Sequence, residues 1–224
     1  ESSALSEMQP EERAKATIST LIRLHDDRLP GRIQQSLAAE LISLADSIDL
    51  SDLTESHRAA GNLSIDLVRH SIALDLGDLS EAARARTSIE SSIGEDASAI
   101  SLLDLRSSLS SLTEGKIPLE TMNAIRRMIA SSDGIYRIRL IHATLESMKE
   151  YPDWLVEAHS SIVAFRLHDD SPMQRRLSAQ RWYWRGVLEP NNRLSHWNEA
   201  VNRFRMAECT SAANQLISMI AREI

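Results

Sequence analysis

The sequence has little cysteine, few aromatic residues and no long hydrophobic run. Its 224 residues include one cysteine, Cys209, which excludes an internal disulfide bond and any zinc site built from several cysteines. No apolar stretch approaches the roughly 20 residues that a transmembrane helix needs, so we expect no membrane span. The first residues, ESSALSEMQPEE, are polar and acidic, unlike a signal or transit peptide. Together these features predict a soluble, cytoplasmic protein.

Several catalytic signatures are also missing. The sequence contains no glycine-rich phosphate loop, no Gly-x-Ser-x-Gly elbow, no His-Glu-x-x-His zinc motif and no EF-hand loop. A lone cysteine such as Cys209 is more often a small buried hydrophobic residue than a nucleophile. We therefore predict a protein that is not an enzyme, with no catalytic residue, no metal ligand and no cofactor.

Charge and aromatic residues are unevenly distributed along the chain. Residues 1–150 carry 24 acidic and 16 basic side chains, whereas residues 151–224 carry 8 and 9. Eight of the nine aromatic residues also lie in the second segment. These shifts predict an acidic, aromatic-poor helical region over 1–150 and an arginine- and tryptophan-rich helical region over 151–224, either as two domains or as parts of one continuous helical domain.

Sustained strand-like alternation is absent, and the apolar residues recur at helical spacing. Glycines fall where helices are expected to end, and prolines where they are expected to begin. The glycines that follow a helical pattern are Gly61, Gly77, Gly94, Gly115 and Gly134, and the prolines that precede one are Pro10, Pro30, Pro118, Pro152 and Pro172. This punctuation predicts an all-α protein of about a dozen short antiparallel helices, in an irregular bundle or solenoid-like array. Residues 64–93 are predicted to form one helical hairpin.

The pentapeptide Arg-Leu-His-Asp-Asp occurs twice, at 23–27 and at 166–170, each time before a proline and arginines. The simplest interpretation is a helix-ending corner, with cationic side chains near the negative helix end and aspartates that accept N–H bonds in the turn. For the second copy, Ser171 before Pro172 is a good helix cap. The two corners are therefore predicted to be structural.

A metal-dependent enzyme is the minor alternative for these corners. In the His-Asp metal phosphohydrolases such a pair joins a further upstream histidine and a downstream aspartate, and neither copy has both. The motif LHDD followed by arginines also resembles, over a short stretch, the first aspartate-rich motif of the isoprenyl diphosphate synthases, all-α enzymes that hold magnesium on a diphosphate. Both copies lack that motif's further aspartate. A third form of this alternative brings the two corners together around one metal ion.

The segment from 171 to 207 differs from the rest, because it carries seven arginines and only two acidic residues, interleaved with aromatic side chains. On a helical wheel one stripe is apolar and should be buried; it contains Met173, Leu177, Trp184, Val187 and Leu188. Trp182 lies on the opposite face of the wheel. Either the helix is buried on both faces, the second against a helix such as 210–223, or an Arg-Trp patch is exposed to solvent.

An exposed patch of this composition favours binding, since tryptophan and arginine are enriched at interaction hot spots. The leading hypothesis is a non-catalytic helical scaffold or adaptor domain that binds a protein partner. Its own binding surface lies within 172–205, and the partner is expected to present an acidic or aromatic-accepting surface. The predicted partner-binding residues are Arg175, Arg176, Arg181, Trp182 and Arg185. The alternative is that the same patch binds RNA or single-stranded nucleic acid by charge and base stacking.

Overall fold

The computed structural model describes residues 8–30, 33–94, 103–104, 119–131, 141 and 172–224. Across these residues the regular secondary structure is helical, without a strand, which confirms the predicted all-α class. The chain divides into two compact units: the first is Glu1–Asp26 with Arg32–Asp96, and the second is Asp27–Gly31 with Ala97–Ile224. The predicted boundary near residue 150 lies outside the described residues and stays a prediction. The number of about a dozen helices and their solenoid-like arrangement also stay predictions.

Eight α-helices lie within the described residues. The first unit contains α1 (Pro10–Asp26), α2 (Gln35–Asp46), α3 (Glu55–Leu76) and α4 (Leu79–Ile93). The second contains α5 (Leu119–Ser131), α6 (Pro172–Leu188), α7 (Arg193–Met206) and α8 (Thr210–Glu223), with a 3-10 turn, Pro190–Asn192, between α6 and α7. None of these described helices is both long enough and apolar enough to span a membrane.

Several helix ends lie where proline and glycine predicted them. Helices α1 and α6 begin at Pro10 and Pro172. Gly77 ends α3 in the left-handed conformation, with φ of 77°, which a residue without Cβ adopts at little cost. The prediction for Gly61 was wrong, because this residue is buried inside α3. A Cβ there would come within 3.1 Å of Ile18 Cδ1, so Gly61 serves close helix packing rather than a helix end.

Helices α3 and α4 form the hairpin that the sequence predicted over 64–93. Asp78 lies in the short turn, and its carboxylate accepts a hydrogen bond from the Glu81 amide at 3.0 Å, which caps α4. Across the hairpin, the Ser88 hydroxyl donates to the Asp66 carboxylate. The unit's core is aliphatic, as the scarcity of aromatic residues requires; its buried members are Leu21, Ile33, Ala38, Leu41, Ala45, Ile65, Val68 and Ile72.

The second unit packs α6, α7 and α8 around small residues and two large rings. Its core combines alanines on all three helices with Trp197 and Phe204 of α7, both of which are buried. Cys209, at the junction of α7 and α8, is buried in the same core, as predicted for a small hydrophobic residue. Alanines leave room for the helix backbones to approach closely, so the two rings fill the space between them.

The first Arg-Leu-His-Asp-Asp copy does end a helix, since α1 stops at Asp26. The next aspartate, Asp27, belongs to the second unit, and its two carboxylate oxygens accept hydrogen bonds from the amides of Ser211 and Ala212, each at 2.9 Å. These amides open α8, whose own preceding residue, Cys209, provides no side-chain cap. Asp27 therefore supplies from a distant part of the chain the capping carboxylate that α8 lacks locally.

We predict that Asp27→Ala leaves the Ser211 and Ala212 amides, in the first turn of α8, without this acceptor and lowers the free energy of unfolding of the second unit by about 1–2 kcal/mol. Tryptophan fluorescence during urea unfolding measures this change selectively. All four tryptophans, Trp154, Trp182, Trp184 and Trp197, lie in the second unit. Amide hydrogen exchange of Ser211 and Ala212 should also speed up, by roughly tenfold.

Asp52→Ala is the matched control, because Asp52 is an exposed aspartate in a turn of the first unit. It should leave both the fluorescence transition and the exchange of the α8 amides unchanged. Unaltered exchange in Asp27→Ala would show that water replaces the carboxylate without loss.

Candidate interaction surface

Helix α6 is buried on two faces. Of the predicted stripe, Leu177 and Trp184 are buried, at 7% and 1% exposed, whereas Val187 and Leu188 are only partly buried. A second set, Ala179 and Gly186, is also buried, and Ala179 belongs to the core shared with α7 and α8. The helix is therefore central, and the face that carries Trp182 lies beside the α7 contact.

Helices α6 and α7 are in close contact where Trp197 packs on Gly186. A Cβ on Gly186 would lie 2.1 Å from Trp197 Cδ1, so the indole occupies the space that any side chain at this position would need. The Trp197 Nε1 group donates to the Tyr183 carbonyl oxygen at 3.2 Å. Arg193 contacts both residues. Its guanidinium carbon lies 5.4 Å from the Trp197 ring centroid, and its Nε donates to the Gly186 carbonyl oxygen. These contacts fix α7 on α6.

Trp182 is partly buried, and side chains from both helices contact its indole. The Arg185 guanidinium, three positions along α6, lies 4.7 Å from the ring centroid. From α7, the Arg203 guanidinium lies at 5.7 Å and the His196 ring at 5.3 Å. Cation–π attraction stabilises both arginine contacts. The helix that covers this face is therefore Arg193–Met206, whereas the sequence had suggested 210–223.

Each arginine against Trp182 is also paired with a glutamate. Arg185 donates to both carboxylate oxygens of Glu189, at 3.0 and 3.4 Å, and His196 Nε2 lies 2.8 Å from the same carboxylate. Arg203 donates to Glu199 at 2.7 Å and, through Nη1, to the Ser178 hydroxyl at 3.0 Å. Two-point contacts of this kind hold a guanidinium in one orientation.

The side chains around Trp182 form one stripe on each helix. We name this set the Arg-Trp surface: Arg175, Ser178, Trp182 and Arg185 on α6, with His196, Glu199 and Arg203 on α7. Members on each helix are three, four or seven positions apart, the spacing of one helical face. Exposure falls along α6, because Arg175 is exposed whereas Trp182 is partly buried and the Arg185 side chain is 21% exposed.

The five predicted partner-binding residues thus separate into three groups. Trp182 and Arg185 are in contact, and Arg175 lies on the same stripe. Arg176 and Arg181 are partly buried, and both take part in interactions of their own. The sequence reasoning missed Glu189, Glu199, His196 and Arg203. The spacing of four in the Arg185–Glu189 and Glu199–Arg203 pairs was a usable signal, because such pairs meet on a helix surface.

In the first His-Asp-Asp corner the described side chains make contacts of their own. In the first copy, His25 Nδ1 lies 3.0 Å from the Asp26 carboxylate, while Asp27 binds the α8 amides. The second copy, 166–170, lies outside the described residues. Among the residues that the structure describes, no group of three His, Cys, Asp or Glu side chains is placed to hold a metal ion.

We predict that Gly186→Ala destabilises the second unit by about 1–3 kcal/mol, the usual cost of overpacking a core. The added Cβ has no space beside Trp197, because its nearest neighbours would be atoms of the indole ring, which has little freedom to move. Urea unfolding followed by tryptophan fluorescence measures the change. The sign is diagnostic, because glycine to alanine inside an ordinary helix stabilises by up to about 1 kcal/mol.

A double-mutant cycle provides the control for this prediction. In a Trp197→Leu background the space beside Gly186 opens, so the same substitution should cost about 1–2 kcal/mol less. Ser195→Ala, at an exposed position of α7, controls for helix propensity alone. An equal penalty with and without the indole would contradict the contact as the cause.

No protein-family model, curated protein or solved structure matches this chain. Its function therefore has to be argued from its own geometry.

Proposed function

We propose that this chain is a non-catalytic helical interaction or assembly domain, of the scaffold or adaptor kind, with its partner surface within 172–205 centred on Trp182. The observation that supports the proposal most is the state of this indole. It is partly exposed, and Arg185 and Arg203 hold it in place. Tryptophan and arginine are the residues most enriched at the energetic centres of protein interfaces.

The second support is preorganisation. Arg185 and Arg203 are long side chains that would normally lose rotamer freedom on binding, at roughly 0.5–1.5 kcal/mol each. Here Glu189 and Glu199 already restrict them through charged hydrogen bonds. Folding has therefore already ordered these side chains, so they lose less conformational entropy when a partner binds. This favours tight binding over a small area.

The partner's chemistry follows from Arg175, the exposed member of the Arg-Trp surface. It lies seven positions before Trp182, on the same helical face. An acidic group on the partner could pair with Arg175, while an aromatic or aliphatic group covers the exposed part of Trp182. We therefore propose a protein partner that presents a carboxylate beside an apolar side chain.

Nucleic acid is the second candidate, and the same geometry supports it less well. Base stacking needs an accessible ring, and three side chains already contact the Trp182 indole. Phosphate binding needs uncompensated charge, and the two arginines of this cluster are paired with glutamates. A protein partner uses the cluster as it stands, whereas RNA would have to displace parts of it.

We predict that Trp182→Ala and Arg175→Ala each weaken partner binding by roughly fivefold or more, the loss expected for a hot-spot residue. Quantitative affinity capture with the full chain as bait identifies proteins that both substitutions deplete. Binding of each such protein, once purified, is then measured directly by calorimetry. Arg175 is exposed, so its replacement should leave the unfolding transition unchanged and separate binding from folding.

Arg222→Ala is the matched control, because Arg222 is an exposed arginine on α8 outside the Arg-Trp surface. It should retain every partner that the unmodified chain retains. If no protein depends on both Trp182 and Arg175, the proposal fails. Fluorescence anisotropy with labelled single-stranded RNA tests the second candidate. If RNA binds at low salt, and if both Arg175→Ala and added salt weaken that binding strongly, the surface is a nucleic-acid-binding site instead.

A further inference from the structure

The first unit contains an open groove of about 440 Å³ between α1 and α3. Its described lining residues are Lys15, Ile18, Ser19, Ile22 and Arg23 of α1, Leu53, and His57, Ala60, Gly61 and Ser64 of α3. The groove lies wholly within this unit, and none of the residues of the Arg-Trp surface lines it.

The lining residues form one helical stripe on each of the two helices. On α1 they run from Lys15 to Arg23 in steps of one or three positions, and on α3 from His57 to Ser64 in the same way. At 1.5 Å per residue each stripe is about 10–12 Å long. Two stripes of this length, side by side, form the kind of trough in which one face of a third helix of about two to three turns can lie.

The floor of the groove is apolar and partly open to solvent. Leu53 is buried, and Ile18 is partly buried. Ile22 is 38% exposed. Gly61 allows the two helices to approach, because the nearest atom to its missing Cβ would be Ile18 Cδ1. A ligand with an apolar face would cover the exposed part of Ile22.

The rim of the groove is cationic, and none of its described lining residues is acidic. Lys15 is satisfied within the unit, because its ammonium group donates to Glu11 at 2.6 Å and thereby lowers the pKa of that carboxyl. Arg23 differs, since it is exposed and has no ion pair with any described residue. His57 is half exposed and hydrogen-bonded to Thr54, and its Nδ1 lies 3.9 Å from the same Glu11 carboxylate. The uncompensated charge therefore lies at the Arg23 end.

We propose that this groove is a docking site for a short acidic amphipathic helix of a partner protein. The apolar face of that helix would pack on Ile18 and Ile22, and a flanking glutamate or aspartate would pair with Arg23. The apolar floor gives affinity, and the unopposed cation selects the charge and the orientation of the helix. The proposal stands independently of the Arg-Trp surface, because it uses other residues in the other unit.

A displayed library of amphipathic helices of about 14 residues tests this assignment. Its apolar positions vary among leucine, isoleucine, methionine and phenylalanine, and its flanking positions vary among glutamate, lysine and glutamine. Selection on the full chain should enrich glutamate flanks at one end and deplete lysine there. The enriched peptides, synthesised and labelled, then give dissociation constants by fluorescence anisotropy.

Two substitutions define the site, and each has a matched control. Ala60→Trp fills the groove from an exposed position and should weaken peptide binding by at least roughly tenfold, whereas Ala59→Trp, at the exposed neighbouring position outside the lining, should not. Arg23→Glu should weaken binding of acidic peptides by about fivefold or more and favour lysine flanks. Arg84→Glu, at an exposed arginine of the same unit outside the groove, should have no effect.

Circular dichroism of all four variants separates loss of binding from loss of folding. The proposal is overturned if no peptide is enriched on the full chain relative to Ala60→Trp, or if lysine flanks are enriched on the unmodified groove. It is also overturned by two other occupants. One is a small anionic amphiphile that native mass spectrometry finds bound and that Ala60→Trp removes. The other is a second copy of the chain, shown by a dimer that the same substitution dissociates.

Discussion

The seating of Trp197 against Gly186 is the contact on which the second unit depends. The indole takes the volume that a side chain at 186 would need, and its Nε1 group bonds to the Tyr183 carbonyl. This single contact determines the distance between α7 and α6 and the position of α7 along α6. The positions of His196 and Arg203 beside Trp182 follow from that register, because all three α7 residues lie on one rigid helix. A surface built on this contact is as rigid as the core beneath it.

The remaining constraints in this unit act at helix ends. Helix α8 begins without a local side-chain cap, and Asp27, 184 positions before Ser211, supplies the acceptor. In the same unit, Arg193 pairs with Glu223 at 3.0 Å and so joins the start of α7 to the end of α8. Both contacts join residues far apart in sequence, so they stabilise the packed arrangement rather than any single helix. The repeated pentapeptide therefore has a structural role in its first copy, although that role reaches across the unit instead of closing a local turn.

The sequence predicted what local chemistry determines. The helical class, the start of α6 at Pro172 and the end of α3 at Gly77 follow from backbone preferences that neighbouring residues do not change. Predictions from the sequence were wrong where tertiary packing determines the local conformation. Gly61 lies inside a helix because α1 needs room, and the end of α7 places Glu208 at a left-handed φ of 60°, where glycine would be expected.

The same limit applies to the candidate site. Helical spacing brought Trp182 and Arg185 together correctly, yet no pattern in the sequence placed Arg203 within hydrogen-bond distance of Ser178.

The two proposed binding surfaces differ in how their charge is held. On the Arg-Trp surface the arginines against Trp182 are already paired with Glu189 and Glu199, so a partner gains from contact with the ring and from an ion pair with the exposed Arg175. In the groove, Arg23 forms no ion pair with a described carboxylate, so its charge is available at short range to an acidic group of the partner. Added salt should therefore weaken association at both surfaces, because each proposed contact includes an ion pair with an exposed arginine, Arg175 or Arg23. The apolar contact, with Trp182 or with Ile22, would then supply the part of the affinity that salt does not screen.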